Sequence, residues 1–312
     1  MVVAKQFRGV FAIPPTPFSD DGALDEKGLR RCVDFCIDAG AHGIVAPVNA
    51  SEFWTLTDDE RKRVAEIVVE QTAGRAMTMI GVQGASIPHA VLFARHAEAI
   101  GADAVIAMPP YVRTVPPPMI VAYYAALDAA LSIPICVQNH DPPGGTRMAP
   151  ELVARLVNEL EHVVYVKEET FPPQQAITAE IALCGSRLAG VMGGVAGRYL
   201  LDEYRRGACG TMPACEAADV HVQVWEALEA GDARKARELF DHLLPLLNFE
   251  AMYGAAVYKE VLRRRGVIRS NYLRSHLGNP LDAENGRELD AILADLTPLF
   301  RVAVPETLLV GD

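Results

Sequence analysis

Along the chain, short and almost continuously apolar runs alternate with longer stretches whose apolar residues recur every three to four positions. Runs such as GIVAPV at Gly43–Val48 and DAVIAM at 103–108 offer no polar face, as expected of parallel strands covered on both sides. Eight such runs are predicted as strands: Val10–Ile13, Gly43–Val48, Met77–Val82, Ala104–Met108, Ile135–Gln138, Val163–Lys167, Leu188–Met192 and Gly210–Met212. Between them the helical period predicts Glu26–Ala39, Asp58–Thr72, Ser86–Ile100, Pro117–Leu131, Pro150–Leu160, Pro173–Leu183 and Val195–Arg206. Strict alternation of eight strands with helices points to a closed (β/α)8 TIM barrel rather than an open doubly wound sheet.

After the eighth strand the pattern is helical only, over Ala217–Ala230, Asp232–Leu247, Ala251–Arg265 and Ala283–Ala294. The first of these completes the barrel and the rest form a C-terminal helical extension. The expected organisation is a catalytic barrel over residues 1–230 and a helical domain over 231–312. No low-complexity linker separates them. Helix ends carry their own signals: Thr57 precedes Glu60 by three residues, a capping box, and Gly40 follows the first helix where a positive φ is needed.

Composition narrows the function. The 312 residues are 50% hydrophobic with a formal net charge of −11, which argues against a nucleic-acid surface, since that needs a basic stripe to neutralise phosphates. A small anionic substrate is compatible with this charge, because a pocket's local field can oppose the global one. The six cysteines are scattered, and the start MVVAKQFRG reaches Pro14 without a long apolar run. Reduced thiols in a cytoplasmic protein without membrane spans are therefore expected. Histidines and cysteines lack ligand spacing, so no metal is expected, and neither a nucleotide fingerprint nor a phosphate loop is present.

The segment HVVYVKEET ends an apolar strand in Lys167, with Glu168 and Glu169 behind it. In a barrel of this kind the C-terminal strand ends form the active face. Imine chemistry needs a neutral amine, and an ordinary lysine of pKa ~10.4 is neutral in only about one molecule in 2,500 at pH 7. A desolvated site is thus the environment such a nucleophile requires. The segment alone leaves two readings open: an imine-forming lysine, or one that snorkels to the rim and pairs with Glu168 or Glu169.

Three segments extend the reading: Gly9–Phe18 (GVFAIPPTPF) followed by Asp21-Gly22, Pro109-Pro110-Tyr111 after strand four, and Val163–Thr170. Together they resemble the dihydrodipicolinate synthase / N-acetylneuraminate lyase family over nearly the whole chain. The resemblance implies a barrel with a C-terminal helical domain, a homo-oligomer (dimer or tetramer), no cofactor, and Lys167 as the lysine that forms a Schiff base with a 2-keto acid. Departures from the family pattern are informative. Val48–Glu52 (VNASE) stands where the family carries a hydroxyl relay, Gln138 where it presents a tyrosine, and Val112 where synthases place a second tyrosine. Dihydrodipicolinate synthesis is therefore not expected. Asn49-Ala50-Ser51-Glu52, Met108–Tyr111, Val137-Gln138 and Leu244–Glu250 (LPLLNFE) instead resemble the L-2-keto-3-deoxyarabonate dehydratase branch. That branch follows its glutamine with Asp-Ala-Pro, whereas this chain continues Asn139-His140-Asp141-Pro142-Pro143.

From that resemblance, Lys167, Gln138 and Tyr111 are the expected catalytic residues, and Asn49, Ala50, Ser51, Gly193 and Gly194 the expected substrate-binding ones. Asn49 and Gln138 exchange no protons at neutral pH and would position substrate hydroxyls or a water. Ser51 and the amides of Ala50 and Ser51 would hold the 1-carboxylate. Tyr111 would shield or protonate the imine, or simply pack at the mouth. His140 and Asp141 form the only His/Asp pair near a strand end, read either as acid/base groups or as an exposed turn. The leading expectation is dehydration of a 2-keto-3-deoxy sugar acid; a pyruvate-releasing aldolase, a dihydrodipicolinate synthase-like enzyme, an imino-acid deaminase and a catalytically silent keto-acid sensor are the alternatives.

Overall fold

The computed structural model describes residues 7–142, 144–275 and 280–302. Pro143 and the first six residues, on which the expectation of a leaderless start rests, lie outside the described residues. The eight strands are β1 (Gly9–Ala12), β2 (Gly43–Ala46), β3 (Met77–Gly81), β4 (Ala104–Ala107), β5 (Ile135–His140), β6 (Val163–Glu169), β7 (Gly190–Gly193) and β8 (Gly210–Thr211). They close in the order β1-β2-β3-β4-β5-β6-β7-β8, the (β/α)8 barrel that the alternating pattern predicts. Strand interiors such as Ile44, Val45, Val105, Ile106, Val137 and Val166 are fully buried, which explains why their sequences show no polar face.

The intervening helices are α1 (Glu26–Asp38), α2 (Asp58–Thr72), α3 (Ile87–Ala99), α4 (Pro117–Asp128), α5 (Pro150–Glu159), α6 (Pro173–Cys184), α7 (Leu200–Arg205) and α8 (Ala218–Glu229). The Thr57/Glu60 capping box forms in both directions, and Gly40 takes its positive φ of 84° after α1. Beyond the barrel run α9 (Ala233–Tyr253), α10 (Ala255–Arg264) and α11 (Ala283–Leu296). No described helix is long and apolar enough to cross a membrane.

Four elements depart most from the sequence expectation. Helix α9 continues past Leu247 to Tyr253, through Pro245, and breaks at Gly254, whose φ of 52° suits a residue without Cβ. The expected helix from Val195 starts instead at Leu200, because Val195 and Ala196 have positive φ. Strands β5 and β6 each run two residues beyond the predicted ends, to His140 and Glu169. Polar residues hid these extensions: Asn139 and Glu168 find buried hydrogen-bond partners that a hydrophobicity pattern cannot register.

The chain groups into two compact units. One holds the residues up to Gly9, Met77–Val195 and Tyr199–Met212; the other holds Val10–Ala76, Ala196–Arg198 and the residues from Pro213 onward.

Candidate functional site

In the unit containing β3 to β8, strand alternation sorts the polar ends of β5 and β6 onto two faces. The parallel register places Gln138 opposite Lys167, Asn139 opposite Glu168 and His140 opposite Glu169. Gln138, His140, Lys167 and Glu169 therefore share one face, and Asn139 and Glu168 the other.

On the first face Lys167 is 3% exposed, with its Nζ 3.2 Å from Glu169 Oε1. Gln138 Nε2 donates to Glu169 Oε2 at 2.7 Å and the Val195 N–H donates to Oε1 at 3.0 Å. Burial by itself would raise the Glu169 pKa, but the Lys167 charge, His140 and these two donors together hold it below its ordinary value. Glu169 is thus a desolvated carboxylate kept anionic beside a buried amine. Gln138 Oε1, also buried, has no partner among the described residues, leaving an acceptor for a hydroxyl or a water. Burying such a group unpaired is unfavourable by about 1–3 kcal/mol.

A cavity of about 640 Å³ opens beside Glu169, walled by His140, Arg147, Glu169, Phe171 and Val195 among others. Asp141 and Arg147 clip its rim: Asp141 Oδ2 accepts from the Phe171 N–H at 2.8 Å, and Arg147 donates to the Phe171 carbonyl at 3.0 Å and to Asp141 Oδ1 at 3.2 Å.

The glycines where β7 ends are explained by these acids. A Cβ on Gly194 would overlap the Glu169 carboxylate, and one on Gly193 would overlap that of Glu203 on α7. Glycine at both positions gives each side chain its room.

The opposite face is a second, more acidic layer. Glu168 accepts from Asn139 Nδ2 (2.7 Å) and from the Thr170 N–H and hydroxyl (2.5 and 2.6 Å). Asn139 also ties β5 to its return segment through the Met148 N–H and carbonyl. Glu180 on α6 is pushed up to about 10 by burial and by the Glu168 charge, so it is the protonated member of that pair. Glu203 is pushed up to about 8, first by burial and then by Glu169.

An acid whose folded pKa lies above its unfolded value holds in the fold a proton that the unfolded chain releases. Its stabilising contribution is complete below about pH 4.5 and is lost as pH rises toward about 8 for Glu203. Each such group adds a slope of about 1.4 kcal/mol per pH unit inside its window. Denaturant unfolding of Glu203→Gln is therefore expected to show a shallower loss of stability between pH 5 and 8 than the parent. Parallel curves would show that Glu203 is ionised in the fold.

The other expected residues are placed as follows. Tyr111 is half-buried and lies beyond β4, and the neighbouring Val112 is exposed. In the unit containing β2, Asn49–Ser51 form a 3-10 turn beyond the strand. Ser51 is committed within the chain: its N–H donates to the Val48 carbonyl, its hydroxyl donates to the Pro14 carbonyl at 2.8 Å, and its own carbonyl accepts from Thr16 Oγ1 at 2.6 Å. Asn49 and Ala50 are half-buried. Glu52, in a left-handed conformation, is fully buried and paired with Lys259 and the Ser275 N–H, which makes it an anchor for the turn. Among the described residues no group of three or more His, Cys, Asp or Glu is arranged to hold a metal ion.

Ending β6 at Lys167 and β5 at Gln138 leaves Glu169 and His140 off the strands. The signal that finds them is the two-residue period itself, since each lies two positions beyond a residue already singled out.

The chain is similar to known proteins along most of its length. The model of the dihydrodipicolinate synthetase family matches residues 6–296. An L-2-keto-3-deoxyarabonate dehydratase from Azospirillum brasilense is 34% identical over 296 residues, covering 94% of this chain and 95% of that protein. A 4-hydroxy-tetrahydrodipicolinate synthase from Brucella abortus is 31% identical over 278 residues, covering 88% and 93%. The crystal structure of a dihydrodipicolinate synthase from Rhodopseudomonas palustris superposes with a TM-score of 0.85 at 28% identity, covering 93% of this chain and 98% of that one.

Proposed function

This chain belongs to the dihydrodipicolinate synthetase family and is a lyase of the lysine Schiff-base class; from that premise we propose that it dehydrates a 2-keto-3-deoxy sugar acid such as 2-keto-3-deoxyarabonate. The observation that carries the reading is the buried Lys167–Glu169 pair with Gln138 bound to the carboxylate. A lyase of this class needs a nucleophilic amine and a group that moves the C3 proton. With Gln138 in place of a tyrosine, the group beside the amine that can accept a proton is Glu169.

In this reaction Lys167 attacks C2 and forms an imine, whose protonated nitrogen acts as electron sink. Glu169 takes a proton from C3 and hydroxide leaves C4. Gln138 orients Glu169 through Nε2 and offers Oε1 to a substrate hydroxyl. Tyr111 shields the imine, and Gly194 keeps the wall beside Glu169 open while Gly193 leaves room for Glu203. The protein is proposed to work in the cytoplasm as a homo-oligomer, needing no cofactor beyond its own lysine.

The Azospirillum brasilense relative, by its name, performs this reaction, which favours dehydration over pyruvate release. Incubation with a panel of 2-keto-3-deoxypentonates and -hexonates, followed by product analysis, tests the reading. A keto-acid semialdehyde is expected; pyruvate as the product would assign the chain to the aldolases instead.

A further inference from the structure

The proton delivered to the departing C4 hydroxyl has no donor in the scheme above, in which the proton that Glu169 takes from C3 is needed again at C3. We propose that His140 is the general acid that releases this hydroxyl as water, a role that rests on the dehydratase reading and extends it. His140 ends β5 directly across from Glu169, two residues beyond Gln138 and on the same face. It is half-buried and lines the same cavity as Glu169.

The ring is held. Its Nδ1 lies 2.7 Å from the Asp141 carbonyl oxygen. A carbonyl only accepts, so a hydrogen bond there places a proton on Nδ1 and leaves Nε2 as the nitrogen that gains or gives one. Gly144 folds against the imidazole so closely that a Cβ there would stand 2.9 Å from Cε1, whereas a Cβ on Gly145 would meet the His140 backbone oxygen at 2.7 Å. The glycine at 144 therefore leaves the ring its room. The charged groups around the ring are Glu169 from β6 and Asp141 and Arg147 from its own segment.

The step balances without an external oxidant or reductant. Glu169 removes a C3 proton, and the C–H pair becomes the C2=C3 bond of an enamine as the C2=N pair returns to nitrogen. That nitrogen pair then re-forms C2=N, C3=C4 forms, and C4–O breaks with the oxygen taking the Nε2 proton of His140 to leave as water. His140, now neutral, accepts the C5 proton as the double bond moves outward, and Glu169 returns its proton to C3. The C4=C5 enol ketonises to the aldehyde, and water hydrolyses the imine. Both groups end as they began.

The test compares the parent with His140→Gln in three assays: borohydride trapping of pyruvate, deuterium exchange at pyruvate C3, and dehydration of a 2-keto-3-deoxypentonate. Trapping is expected within about twofold of the parent and exchange within about tenfold, since Glu169 keeps Lys167, Gln138 and Val195 beside it, while dehydration falls roughly 100-fold or more. A 4-deoxy-4-fluoro analogue, whose fluoride leaves without a proton, is expected to be eliminated by His140→Gln at close to the parental rate. Unchanged dehydration, or loss of exchange together with dehydration in a variant that still traps pyruvate, would overturn the role of His140 alone. A parent protein that traps pyruvate yet dehydrates no member of the panel would overturn the dehydratase reading with it.

Discussion

Lys167→Ala is expected to lower kcat/KM by roughly 10⁴-fold or more, the scale of losing a covalent nucleophile. The loss follows from position: Lys167 is 3% exposed, two residues before the end of β6, and its amine pairs with Glu169. Strand β6 is held through its backbone register to β5 and β7, so the barrel is expected to survive the truncation. Glu169 would keep its donors from Gln138 and Val195 but lose its cation, and its proton affinity would rise. Steady-state kinetics alongside circular dichroism checks this expectation. Activity within tenfold of the parent, in folded protein, would move the chemistry to another group.

The second large effect is expected at Glu169. Glutamine there keeps the shape and the contact with Gln138 but cannot take a proton, so kcat should fall about 10²- to 10⁴-fold. Imine formation should persist, because the amine loses an anionic neighbour that favours its charged form. Glu169→Gln is thus expected to trap pyruvate with borohydride while failing to exchange its C3 protons. Equal exchange in parent and variant would assign proton transfer to Tyr111 or to a bound water. The two variants separate nucleophile from base, which a single loss-of-activity measurement cannot do.

Much of this was legible in the sequence, for identifiable physical reasons. Parallel strands covered on both faces write themselves as apolar runs, so GIVAPV and DAVIAM carry the barrel's signature in the sequence alone. Lys167 stood out because a charged side chain ending such a run is unfavourable without a use. The polar ends of β5 and β6 were not legible. Asn139 and Glu168 satisfy each other behind the sheet, and a pattern that reads polarity as loop stops at Gln138 and Lys167. The same blindness affects Gly193 and Gly194, where no sequence pattern reveals that Glu203 and Glu169 occupy the space a Cβ would fill. Ser51 offers the converse lesson. Its residue type suggests a ligand contact, yet its hydroxyl and amide are spent on Pro14 and Val48.

The central claim is that Lys167 carries the substrate as an imine. The most direct measurement is borohydride reduction of the protein with pyruvate and with 2-keto-3-deoxypentonates, followed by peptide mapping by mass spectrometry. The account predicts a reduced adduct on the peptide containing Lys167, at that residue, and none elsewhere. Folded protein that yields no adduct at Lys167 with any keto acid, or one that maps to Lys259 or another lysine, would contradict it.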